Sequence, residues 1–218
     1  MALTKKTNRL DIYIEEGRQV ILIRQKWKYQ WLTATKSSWT LQQKRSFHHA
    51  VDGIIWKTWN YHYKVKVNGS SDFAKKYKNT FFTINFDIQW VSGSEHWKVN
   101  ATKILGKSPI SYVDWTNRVI SLDTKDSDST YKGSANGKNY YQLPAAHEFG
   151  HAIGNSYWAL KGSTSVHGDE YNADNRVNGG FSLDYASIMH SGNELRNRHI
   201  DYILKELNTM LPNTIFHL

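Results

Sequence analysis

Leu143-Pro144-Ala145-Ala146-His147-Glu148-Phe149-Gly150-His151-Ala152-Ile153-Gly154 is the stretch on which the reading of this chain turns. Pro144 falls where a first helical turn tolerates a missing N–H, and Gly154 falls where a helix should stop. Between them His147 and His151 stand at i and i+4, so on a helix their imidazoles lie one turn apart on one face. Two neutral ring nitrogens so placed can reach one Zn²⁺ at roughly 2.0–2.1 Å and leave positions for water and a third ligand. A cation there lowers the pKa of water toward about 7, and Glu148, beside the first imidazole, is placed to act as general base. The competing reading is a surface helix with two incidental histidines.

Composition bounds the rest. The chain has 218 residues, 39% hydrophobic and 14% aromatic, enough for one large core or two small lobes around a cleft. No apolar run approaches the roughly 18 residues of a membrane span. Met1-Ala2-Leu3-Thr4-Lys5-Lys6 is not followed by the apolar segment of a secretory signal, so synthesis in the cytoplasm is expected. Cysteine is absent, which excludes disulfides, thiolate ligands and cysteine nucleophiles. The net charge of +9 is uneven: residues 1–108 carry 19 Lys+Arg against 7 Asp+Glu, and residues 109–218 carry 9 against 12. A basic half fits either an anionic partner or a solvated face, but its cations are scattered among strands, which argues against nucleic acid.

Along the chain, alternation marks strands at Leu10–Glu15, Arg18–Arg24, Tyr61–Val67, Thr80–Val91, Trp97–Ala101 and Arg118–Leu122. Ser92-Gly93-Ser94 reads as the turn of a hairpin joining the fourth and fifth of these. Thr40-Leu41-Gln42-Gln43 has capping-box spacing, and Phe47, Val51, Ile54 and Ile55 form the apolar stripe of the helix it starts, with His48 and His49 off it at the surface. The segment from Trp27 to Trp39 fits no pattern. Asp123 to Asn139 reads as a long surface loop, and its Asp123, Asp126 and Asp128 lack the spacing of an EF-hand. Ile200, Ile203, Leu204, Leu207 and Met210 mark a last helix.

With these elements placed, His147-Glu148-Phe149-Gly150-His151-Ala152-Ile153-Gly154 resembles the first eight positions of the metzincin signature, and Ser187-Ile188-Met189 resembles its Met-turn. The chain thus resembles the zincin metallopeptidases. That resemblance implies an α+β fold: a twisted mixed sheet with a backing helix, the active-site helix below it, and a small C-terminal subdomain with Met-turn and final helix. One domain is expected over 1–218, with an upper lobe to about residue 154 and a lower subdomain over 155–218. The implied activity is that of a monomeric zinc endopeptidase on protein or peptide, with the strand pair Thr80–Ala101 supplying the edge on which substrate lies. From roughly Phe82 to His199 the chain further resembles metallopeptidase effectors of bacterial contractile injection systems, type VI spike extensions and phage-tail-like particles, through the Gly after the motif, Asp169-Glu170-Tyr171, the Met-turn, and Gly192 with the basic run Arg196-Asn197-Arg198-His199. It implies an injection particle as partner and delivery into a target cell.

The departure is at residue 157, where the third metzincin histidine is replaced by Tyr157. The third ligand is therefore expected from His167-Gly168-Asp169-Glu170-Tyr171, with Glu170 first on reach, and Asp169 and His167 as alternatives. The unused carboxylate is expected to orient a ligating imidazole. Tyr171, Tyr185 and His190 are candidates to donate to an oxyanion. Two other readings stand beside the peptidase: a metal-dependent peptidoglycan peptidase or amidase, and a non-enzymatic basic module with a structural metal.

Overall fold

In a computed structural model, which describes residues 2–161, Glu170 and 180–218, the fold is α+β. Its sheet is organised around one strand, β3 (Val20–Thr33), twice as long as the alternation over Arg18–Arg24 predicts. Ile21, Ile23, Gln25, Trp27 and Tyr29 point into the core, while Arg24, Lys26, Lys28 and Gln30 point away. The two-residue period therefore runs on through the aromatic segment. Antiparallel β2 (Asp11–Glu15) pairs with the first part of β3, and parallel β6 (Trp97–Lys103) pairs with the last part on the same side. Parallel β5 (Phe82–Trp90) pairs along the other side.

The expected hairpin between β5 and β6 is therefore absent: β3 lies between them. The connecting chain steps across β3, with Val91 N–H bonded to Trp27 O and His96 N–H to Lys26 O. His96 Nδ1 accepts from Lys26 N–H at 3.0 Å, so its ring locks the crossover in place. A local turn signal lost here to non-local pairing with a strand twice the expected length.

Among the described residues the sheet has nine strands, running β11-β4-β5-β3-β6-β8-β7 with β1 and β2 added beside the start of β3. Its outer members were not foreseen. β1 (Ala2–Lys6) pairs with β2, and β11 (Thr214–His217) brings the C-terminus back onto β4 (Tyr63–Gly69). β5 and β6 are both interior strands, so neither offers the edge expected of them. Beside the motif helix the edge is β7 (Tyr112–Asp114), paired with β8 (Val119–Asp123).

One face of the sheet is covered by α1 (Leu41–Trp59), which starts at the Thr40 capping box and buries Phe47, Val51, Ile55 and Trp59. Each such large apolar side chain contributes about 1.5–3 kcal/mol by leaving water. His49 is exposed as expected, whereas His48 is half-buried with its Nδ1 3.0 Å from Tyr29 Oη. The stretch read as a long surface loop contains a hairpin, β9 (Thr130–Ala135) and β10 (Lys138–Gln142). Its turn residues Asn136 and Gly137 have φ of +53° and +74°, the backbone that an Asn-Gly pair favours in a two-residue hairpin. Asp123 and Asp126 receive the hydroxyls of Ser108 and Ser111, tying down the preceding loop, and burial pushes the Asp126 carboxyl up to about 6. The final helix, α5 (Asp201–Asn208), buries Tyr202, Ile203 and Leu207. Among the described residues no helix is long and apolar enough to cross a membrane.

Candidate metal centre

The motif forms α3 (Pro144–Ala152), with Pro144 in its first turn as the sequence predicts. The helix is enclosed nearly all round, which demands that its free backbone groups find partners. At its start Ala145 N–H donates to Asp126 O, and three buried side chains bond its carbonyls. Trp59 Nε1 donates to Ala146 O at 3.1 Å, Gln25 Nε2 to Ala152 O at 2.7 Å, and Asn155 Nδ2 to Gly150 O at 2.8 Å. Phe149 packs edge-on against Trp59 and Phe86. A polar Gln25 in the middle of an otherwise apolar strand face is thus explained by the end of α3.

Gly154 terminates the helix with φ +116°, and a Cβ there would lie 2.2 Å from Cβ of Tyr202. This turn returns the Asn155 carbonyl to the His151 ring, whose Nδ1–H donates to it at 2.5 Å. His147 is held in the same manner: its Nδ1–H donates to Ile188 O at 2.7 Å. A ring nitrogen that close to a carbonyl oxygen must carry the proton, so both imidazoles are Nδ1–H tautomers and both Nε2 atoms present lone pairs.

Those two Nε2 atoms face each other at 3.2 Å. Adjacent ligands about 2.0–2.1 Å from one tetrahedral ion stand roughly 3.3 Å apart, so the separation fits a shared zinc. Ligand atoms of His147, Glu148 and His151 all lie within 4.8 Å of one another. His147 and Glu148 are each 5% exposed. The two imidazoles are donors that suit zinc, and the Glu148 carboxylate lies beside them.

The turn at Ser187-Ile188-Met189 lies against this helix. Met189 is fully buried, and a Cβ on Gly150 would sit 2.4 Å from its Sδ and 3.1 Å from Trp59 Cζ2. Replacing Gly150 by Ala should cost about 2 kcal/mol through overpacking against the sulfur. A urea-unfolding midpoint equal to that of the unsubstituted chain would show that the turn is not seated under α3.

Glu170 is placed differently from its expected role. It lies outside the three-residue group, and Arg198 binds its carboxylate with Nε–Oε1 2.6 Å and Nη2–Oε2 2.8 Å. His199 Nε2 approaches at 3.5 Å, and the Glu170 N–H donates to Met189 O at 3.0 Å. The carboxylate is an ion-pair partner anchoring the methionine turn. Asp169, His167 and Tyr171 lie outside the described residues. Tyr157 begins the short helix α4 (Tyr157–Leu160) and packs edge-on to Trp158. His190 has both ring nitrogens engaged, with Ser182 O at 3.0 Å and Ser191 Oγ at 2.8 Å. Tyr185 packs on that ring at 4.7 Å.

Comparison with protein-family models, curated protein sequences and solved structures returned no match.

Proposed function

We propose that this chain is a zinc-dependent peptidase of the zincin type, with His147 and His151 as ligands and Glu148 as general base. One observation carries the reading: two imidazoles, His147 buried and His151 half-buried, each fixed by a carbonyl on Nδ1, aim lone pairs at a common point from 3.2 Å apart. Two lone pairs that close repel unless a proton or a cation stands between them. The acid grouped with them favours positive charge at that point, and a pair of imidazoles with a neighbouring carboxylate is an arrangement that suits a hydrolytic zinc, which supports the cation. Zinc bound at this point supplies Lewis-acid polarisation and a lowered water pKa. Glu148 takes the proton of the attacking water at its carboxylate and returns it to the leaving amine. The buried surroundings of α3 limit bulk water and strengthen these charge interactions.

The sheet with its backing helix α1, the helix α3 and the methionine turn packed on Gly150 support the zincin reading at the level of architecture. The effector reading stands on the sequence resemblance from roughly Phe82 to His199.

Protein purified without chelator or added metal should carry about one zinc per chain by elemental analysis. Zinc added to chelator-stripped protein at about 100 times its Kd should raise stability by about 2.7 kcal/mol, and His147→Ala/His151→Ala should not respond. A folded wild-type chain that holds no zinc and shows no shift would end the proposal.

A further inference from the structure

We propose that Gln142 is a positioning residue for the metal helix, setting the orientation of the His147 imidazole. The inference rests on the zinc reading above. Gln142 ends β10, one residue before the helix cap, and is 1% exposed. Its Nε2 donates to Ile188 O at 3.0 Å and to His190 O at 2.9 Å. Two carbonyl acceptors take both amide hydrogens, which fixes which end of the side chain is nitrogen. The same nitrogen stands 3.0 Å from His147 Nδ1.

Ile188 O is the acceptor that fixes the His147 tautomer. It points inward beside a second inward carbonyl, that of His190, and the Gln142 amide is the donor that holds the two together. Without it, two acceptors converge in a buried space and repel, and the 188–190 turn must rotate one away. The acceptor opposite His147 Nδ1 then moves, and Nε2 loses its aim. Groups that hold a ligand's other ring nitrogen alter metal affinity by about 10–100-fold when removed.

Asn193 provides an internal comparison. It bridges the same two segments, with Oδ1 accepting from Leu143 N–H and Nδ2 donating to Tyr141 O, both at 2.9 Å. It is exposed, and these bonds go to backbone groups of Leu143 and Tyr141, not to Ile188 O or the ring.

The test is zinc affinity of the full chain against a competing chelator, with the absorption spectrum of the cobalt-substituted protein as a second readout. Urea midpoints in chelator confirm that each variant is folded. Gln142→Met should bind zinc about 10–100-fold more weakly with an altered cobalt spectrum, while Asn193→Ala stays within about threefold. Should Gln142→Met not fold, Gln142→Asn, which draws the amide back by one methylene, carries the same expectation. Unchanged zinc affinity in a folded Gln142 variant, with His147→Ala losing zinc, overturns the role of Gln142 and leaves the metal site standing. A wild-type chain without zinc affinity overturns the metal reading itself.

Discussion

Glu148→Gln should retain zinc within about threefold of wild type and hydrolyse peptide bonds about 10²–10⁴-fold more slowly. The substitution keeps the shape and leaves Nε2 of both imidazoles in place, but an amide cannot accept the proton of the attacking water. Its position makes the loss specific. Glu148 is 5% exposed and grouped with both histidines within 4.8 Å, so a substitute base from solvent has little access. The measurement is turnover of unfolded protein and of a mixed peptide library, with zinc content determined on the same samples. Full turnover with bound zinc would remove Glu148 from the chemistry. Turnover of purified sacculi alone would move the substrate to the peptide stems of peptidoglycan while keeping the same residues in the same roles.

Much of this architecture was legible because it follows local periodicity. The Thr40 capping box, the stripe of α1, the alternation of β5 and the Pro144-to-Gly154 limits of the motif helix are all short-range signals, and each element formed where its pattern lay. The His147–His151 pair was legible for the same reason, since i,i+4 spacing on a helix fixes a distance. What was not legible depends on partners far along the chain. β3 runs on past Arg24 because β6 and β5 flank Trp27 to Thr33 and Val20 to Trp27, and a strand's length is set by its neighbours. The hairpin at Asn136-Gly137 did carry a local signal, but its flanks lack apolar alternation because both strands are largely exposed. Gln25, Gln142 and Glu170 carry no periodic signature at all. Each matters through backbone or side-chain partners far along the chain, and the Arg198 partner of Glu170 could not be read from reach alone.

Glu170 therefore supplies the sharpest quantitative expectation about stability. Its side chain is fully buried and paired in a fork with Arg198, which also binds Asp184 Oδ2 at 2.6 Å and lies over the Phe181 ring at 4.0 Å. Removing one partner of a buried pair costs about 3–5 kcal/mol because the other charge is stranded. Arg198 keeps Asp184, so Glu170→Ala should cost about 3 kcal/mol, the low end. The titration agrees. Burial pushes the Glu170 carboxyl up, but hydrogen bonds from Arg198, His199 and Ser187 outweigh it and hold the group at about 2 against an ordinary 4.5. A carboxyl depressed on folding stabilises the native state fully above its unfolded pKa, and that contribution drains away as pH falls from 4.5 toward 2. Asp184 is held low by Arg196 and adds to the same acid transition. In chelator, the urea midpoint of the wild-type chain should fall steeply between pH 4.5 and 2.5. Glu170→Gln should start lower and fall less, because the charge that drives the slope is gone. Zinc affinity at pH 7 should change by less than about tenfold in this variant, because the carboxylate is already bound by Arg198. The opposite pattern, an unchanged urea midpoint with zinc affinity lost by more than about 100-fold, would return Glu170 to the metal as its third ligand.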